Sequence, residues 1–274
     1  MTTTTIQRQY DEVIAPHYDL DPHAVTNIAL DRAADQILDQ RLLGPGAARL
    51  NVFDVGVGTG SFLAKLKALG GRQVVPFGLD FSQKMVEIAR RKLPDLRAAV
   101  DDAANLDAHF PDQAFHLVCT HFLTGFVPMQ VLAPKIWSRL EDGGYWSLVG
   151  GTKAGFPALR AKAESKTLRW LFGGRKLAID ETVCNPADHE EMTRTLESNG
   201  FVIRARDNFK PILHFKKFRE FMDFAYRGGW LTPFIESLGL HEASAMTRLM
   251  LNLFFFPVHD HHDIEIVLAQ KVRR

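Results

Sequence analysis

Seven consecutive residues, Asp54-Val55-Gly56-Val57-Gly58-Thr59-Gly60, set three glycines at alternate positions behind an acidic residue. Glycine accepts positive φ, and without a side chain it lets a ligand lie against the backbone. A helix opening just behind such a turn offers N–H groups that have no partner inside the helix. Two acidic sites follow, Asp80 and the pair Asp101-Asp102, the second leading into Ala103. A carboxylate at Asp80 suits the hydroxyls of a ribose, and one at Asp101 or Asp102 suits an adenine amino group. Together these residues point to a nucleoside-bearing ligand.

Histidines supply the other candidate chemistry. His121 stands in Cys119-Thr120-His121-Phe122, at the end of an apolar run. A histidine there orients an oxygen or takes a proton near neutral pH, or simply bonds to backbone in a loop; both readings stay open. The run His259-Asp260-His261-His262-Asp263 has metal-binding residue types. Its members are consecutive, however, not spaced to converge on one ion, so the expectation is a turn with one residue near the site and no metal.

These residues need elements to position them. Leu50–Val55 reads as a buried parallel strand ending at the glycines, with a helix over Ser61–Leu69. Strands follow at Val74–Leu79, Arg97–Val100, Phe115–Thr120 and Tyr145–Val149, with helices at Ser82–Lys92 and Met129–Leu140. Strands alternating with helices give βαβ units and a mostly parallel sheet. Residues 7–43 read as helical up to a break at Leu43-Gly44-Pro45-Gly46. Beyond residue 150 the pattern gives helices at Ala158–Leu171 and Asp188–Ser198, then strands at Phe201–Ala205 and His262–Lys271. The last two strands are about 55 residues apart, too far for a plain loop. That segment is rich in aromatics and reads as a helical cap.

Composition sets limits. The chain has 274 residues, 46% hydrophobic and 24% charged, with net charge +1, which is globular usage without the basic excess of a nucleic-acid binder. Two cysteines, Cys119 and Cys184, make neither a disulfide framework nor a zinc site. No signal-peptide core and no membrane-span-length apolar run is present, so a cytoplasmic location is expected. Residues 151–220 hold 14 basic and nine acidic residues, an excess of five that forms a solvated face or draws an anionic or carrier-bound acceptor.

The D-x-G-x-G-T-G run at Asp54, Gly56, Gly58, Thr59 and Gly60, with Asp80 and Asp101 or Asp102, resembles the class I S-adenosylmethionine-dependent methyltransferases. Tyr10–Asp19 is similar to the N-terminal helix that closes over the cofactor in that family. The resemblance covers roughly residues 8–150 and the two final strands. A nicotinamide enzyme would call for glycine or alanine where Ser61 stands. The resemblance implies a Rossmann-like α/β fold, with a seven-stranded, mostly parallel sheet in the order 3-2-1-4-5-7-6 and its last strand antiparallel. Helices cover both faces, with the helical cap over one end. It divides the chain into an N-terminal closing segment (1–45), a cofactor-binding core (46–206 and 262–274) and a cap (207–261). It also implies cofactor contacts at Tyr18, Phe81, Ala103 and Thr120.

Methyl transfer from a sulfonium is an in-line displacement that depends on positioning the acceptor. The cap's aromatics and the ends of the fourth and fifth strands point to a small hydrophobic acceptor, held by His121, Phe122, Phe126, Tyr226 and Trp230. A carboxylate on a fatty-acid-like or polyketide-like molecule leads, because it needs no base. O-, N- or C-methylation of an aromatic natural product is the alternative. A catalytically inactive scaffold or sensor of the cofactor is the alternative outside enzymes.

Overall fold

The structure is a computed structural model that describes residues 3–43, 49–70, 73–166 and 183–272. Seven strands form one sheet: β1 (Leu50–Val55), β2 (Val74–Asp80), β3 (Arg97–Val100), β4 (Phe115–His121), β5 (Leu140–Gly151), β6 (Phe201–Phe209) and β9 (Ile264–Lys271). Their order is β3-β2-β1-β4-β5-β9-β6. The first five pair in parallel, and β9 runs antiparallel to both β5 and β6. This is the arrangement of the class I methyltransferase resemblance, with β9 as the sheet's seventh strand.

β1 shows why the sheet forms where it does. Its burial is almost continuous, as a central strand covered on both faces requires. Val52 belongs to the core layer that also holds Cys119, Val149 and Ile266. Phe53 and Val55 belong to the opposite layer, with Phe77, Phe115 and Trp146. The first layer is covered by α2 (Val25–Asp39), α3 (Ser61–Gly70) and the insertion between β6 and β9. The second is covered by α5 (Met129–Arg139) and α7 (His189–Ser198). Three helices start on side-chain caps: the Ser82 hydroxyl accepts from Met85 N–H at the head of α4 (Gln83–Lys92), Asp188 accepts from Glu191 N–H at α7, and Ser244 accepts from Thr247 N–H ahead of the helix over Ala245–Phe254. Each satisfies an N–H that the helix cannot.

Three expectations need correction. Residues 7–43 do not form one helix. A short α1 (Thr3–Arg8) passes into a π-helical turn over Gln9–Ile14, and a bend precedes α2. Pro16 and Pro22 interrupt the stretch, and Asp21 and Ala24 adopt positive φ. The insertion is not purely helical. It holds α8 (Phe218–Met222), α9 (Thr232–Ser237) and α10 (Ala245–Phe254), but also a two-stranded ladder of β7 (Ile212–Phe215) on β8 (Val258–His261). The His259–Asp263 run is thus half strand: His259 and His261 sit in β8, and His262 and Asp263 link it to β9. Most of the break at Leu43–Gly46, and the second half of the helix expected over Ala158–Leu171, lie outside the described residues; within them, α6 covers Pro157–Ala163.

Candidate active site

The β1–α3 turn is fixed by main-chain bonds. The N–H groups of Gly56 and Val57 both donate to the carbonyl of Leu79, at 2.7 and 2.9 Å, and Gly60 N–H donates to Val57 at 2.9 Å. Gly56, Gly58 and Gly60 have φ of +82°, +52° and +76°, a region that L side chains enter only at a cost. A Cβ on Gly60 would also meet Ala89, 3.0 Å from its Cβ. Gly60 is therefore required by packing against α4, while Gly56 and Gly58 leave bare backbone on a cavity wall.

Asp80 ties this turn to β2. Its two carboxylate oxygens accept from Gly58 N–H at 2.8 Å and Ser82 N–H at 2.9 Å. Burial outweighs these bonds and pushes its carboxyl up to about 6. Each oxygen keeps a second lone pair, so Asp80 can hold the turn and still accept from a ligand in the cavity it lines. Asp54 lies beneath, 2% exposed, with Oδ1 lacking any partner. Burial first, and Asp80 second, raise its carboxyl well above the usual range.

The two acidic neighbours of β3 are separated by their bonding. Asp101 accepts from Asp102 N–H and Asn105 Nδ2 and pairs with His109 at 2.8 Å. That pairing holds its carboxyl below the usual range. Asp102 caps the turn over Ala103–Ala108 through Ala104 N–H, and it lines the cavity together with Ala103.

The cavity is a single space of about 400 Å³ that runs from the glycine turn to the underside of the insertion. Tyr18, Phe81, His121, Phe122, Phe126 and Trp230 all line it. Tyr10 closes the side over Phe81, its ring edge-on at 4.9 Å. Phe122 sits at φ +57°, a strained turn for a bulky residue. The turn sends its ring edge-on against Trp230 at 5.0 Å.

Other expected residues sit elsewhere. Thr120 is buried in the sheet, where its hydroxyl accepts from Trp146 Nε1 at 2.8 Å. Thr59 is buried, 1% exposed, and donates to Asp19 at 2.6 Å. Asp19 also accepts from Ser61 and pairs with Lys92 at 2.7 Å, so Thr59 fastens the N-terminal segment instead of lining the cavity. Tyr226 does not reach the cavity either: its hydroxyl donates to Glu236 at 3.0 Å and its ring stacks on His241. Tyr226 lies in a π-helical turn over Asp223–Arg227.

Two histidines face the acceptor end. His121 bonds to Ser147 Oγ at 3.0 Å, and its Nδ1 is buried without a partner. His262 stacks on Phe156 at 4.4 Å, stands edge-on to Trp230, and likewise leaves Nδ1 unpartnered. Burial drives both imidazoles down to about 3. Both belong to one sheet face. His121 lies opposite Val149, and the His262 ring packs on Gly151, two residues further along β5, within 2.6 Å of where a Cβ would stand.

The residues the sequence did not single out share this end. Arg160 of α6 lines the cavity and donates through Nε to Gly155 O at 2.8 Å. Asn185 and Thr152 complete a polar corner beside Trp230 and Phe156. No motif marks Arg160 or Asn185. Only the histidine-rich run hinted at His262. Among the described residues, no group of three or more His, Cys, Asp or Glu side chains could hold a metal ion.

The cavity fits a nucleoside sulfonium on its own chemistry. Bare glycine backbone and cavity-lining acidic residues at Asp80 and Asp102 favour a ligand carrying hydroxyls, amino groups and positive charge.

Comparison with known proteins agrees. Residues 52–144 match the family model described as a methyltransferase domain. The YcgJ protein of Bacillus subtilis superposes with TM-score 0.57 at 16% identity, covering 89% of this chain and 100% of that one. A protein from Bacillus halodurans C-125 described as a methyltransferase gives 0.56 at 16% identity, over 88% and 99%. A sarcosine dimethylglycine methyltransferase-like protein of Galdieria sulphuraria gives 0.53 at 8% identity, over 89% and 85%. At these identities the likeness is one of fold. No curated protein matches the sequence.

Sheet order and glycine turn give the chain the fold of the class I methyltransferases, and residues 52–144 match a methyltransferase domain.

Proposed function

We propose that the enzyme methylates a carboxylate oxygen on a small, largely apolar acceptor. One observation carries this reading: both imidazoles at the acceptor end are held neutral, near 3. Moving a proton from a phenol of pKa about 10 onto such an imidazole is uphill by about seven units, roughly 10 kcal/mol. An alcohol is worse. A carboxylate is already ionised and needs no base.

S-adenosylmethionine, when bound, supplies an electrophilic methyl group. Gly56 and Gly58 would lie against its methionine part, Asp80 would accept from its ribose hydroxyls, and Asp102 would face its adenine. His121 and His262 position the acceptor oxygen as neutral hydrogen-bonding groups. Arg160 adds the positive charge that draws a carboxylate. Phe122, Phe126, Phe156 and Trp230 exclude water and take the apolar body. In this reading residues 207–261 roof the acceptor, residues 46–206 and 262–274 bind the cofactor, and residues 1–45 close over it. The two free thiols suit a cytoplasmic enzyme.

The test is methyl transfer from radiolabelled cofactor to paired medium-chain acids and alcohols, and to paired aromatic acids and phenols. Ester formation on acids alone, with KM raised about tenfold or more in Arg160→Ala by loss of a charge-assisted bond, supports the reading. Turnover of phenols or alcohols in preference to acids refutes it.

A further inference from the structure

Helix α10 is built inside out. Met246, Leu249 and Leu253 follow one another at helical spacing and are 67%, 52% and 64% exposed, with Phe254 beside them at 66%. Leu251 is the helix's one buried residue. A surface helix ordinarily turns its apolar stripe to the core, and an exposed cluster of large apolar side chains marks a contact surface.

Charge says what the contact is. The β7–β8 ladder and a bond from Phe218 N–H to Asn252 Oδ1 at 2.8 Å bring residues 208–219 beside residues 243–259. The two segments contain Lys210, Lys216, Lys217, Arg219 and Arg248, and no aspartate or glutamate. Lys210 is spent on Asp263. Lys216, Lys217, Arg219 and Arg248 are exposed. Of the acidic groups at their margins, Glu220 accepts from Lys216 N–H, Asp260 is buried and accepts from Ala158 and Leu159 N–H, and Glu242 is exposed beside His241, leaving the cations in excess. Further along the ladder Ile212 is 84% exposed. Protruding aliphatic and aromatic side chains with cations beside them form the pattern of a helix that lies in a lipid headgroup layer. Cations near such a surface each add attraction to anionic lipid. Among the described residues no helix is long and apolar enough to cross a membrane, so the contact is peripheral.

We propose that α10 and its basic flank dock this enzyme onto an anionic lipid surface. The inference rests on the outer surface of the insertion and is independent of which acceptor atom is methylated.

The test is co-flotation of the full chain with phosphatidylcholine vesicles, with and without phosphatidylglycerol. Binding to the anionic vesicles that falls with added salt, and falls at least tenfold in Leu249→Glu/Leu253→Glu, is the expected result. S-adenosylhomocysteine binding should be unchanged in that variant, which shows that it is folded. Lys216→Glu/Lys217→Glu should reproduce the loss without touching the apolar face. Absence of wild-type flotation, or flotation undiminished in the variants, overturns the proposal. So does sedimentation showing a wild-type dimer that Leu249→Glu/Leu253→Glu converts to monomer, which would make the patch a contact between two copies.

Discussion

Replacing His262 by asparagine should make the protein less sensitive to acid. His262 is 4% exposed, stacked on Phe156 and held neutral down to about 3. In the unfolded chain its pKa returns to about 6.5. Between these values the unfolded state binds a proton that the folded state refuses, so stability is full above about 6.5 and falls as pH drops toward 3. At pH 5 the unfolded imidazole is protonated about thirtyfold over its neutral form, whereas the folded one stays neutral. The difference is about 2 kcal/mol relative to pH 8. Any folded pKa below about 4 gives the same figure, because the ring is then neutral at pH 5. Asp80 and Asp54, raised by burial, act in the opposite sense. They do so equally in wild type and variant, so they cancel from the comparison. Urea unfolding of both proteins at pH 8 and pH 5 reads the effect: the wild type should lose about 2 kcal/mol more than His262→Asn on going to pH 5. Equal losses would mean that the folded imidazole titrates normally, and the argument for a neutral acceptor site would lose half its support.

Three more outcomes follow from the site. Asp80→Asn should weaken S-adenosylhomocysteine binding about tenfold or more at pH 8. By calorimetry, wild-type affinity should decline as pH falls through about 6, where Asp80 protonates, while the variant stays flat. Gly60→Ala should cost about 2–4 kcal/mol in thermal unfolding, from a left-handed alanine and its crowding against Ala89. Asp19→Ala removes the acceptor shared by Thr59, Ser61 and Lys92; these groups are partly exposed, so the loss is about 1 kcal/mol. Tryptic cleavage after Arg8 should then run about fivefold faster, with the global unfolding transition little changed.

The central strands were legible because they are buried on both faces and bounded by glycine or polar turns, and the more exposed β3 because strands alternate with helices on either side of it. Arg97–Val100 is a strand with the ends the alternation suggests, and the glycine turn lies where the D-x-G-x-G-T-G run places it. What was not legible depended on bonds between distant residues. Thr59 looks like a cofactor contact until Asp19, 40 positions earlier, takes its hydroxyl. Asp101 and Asp102 are equivalent in sequence, and only His109 and Asn105 draw the first away from the cavity. Tyr226 was expected at the acceptor as one of the insertion's aromatics, and residue type does not reveal its bond to Glu236. Arg160 joins the site through α6, which no periodicity connects to the glycine turn.

The insertion leaves and re-enters the sheet at one point. Phe209 and Ile264 face each other at the ends of β6 and β9. Three residues beyond each, Ile212 and His261 begin the β7–β8 ladder. To the sheet, then, the roof is a hairpin loop of any length, whose closure entropy grows only slowly with its size. Its one fixed obligation is to cover the face bearing Val149 and Ile266, whose core layer its phenylalanines complete. The strands that carry the glycine turn therefore keep their register whatever the length or shape of the segment between β6 and β9.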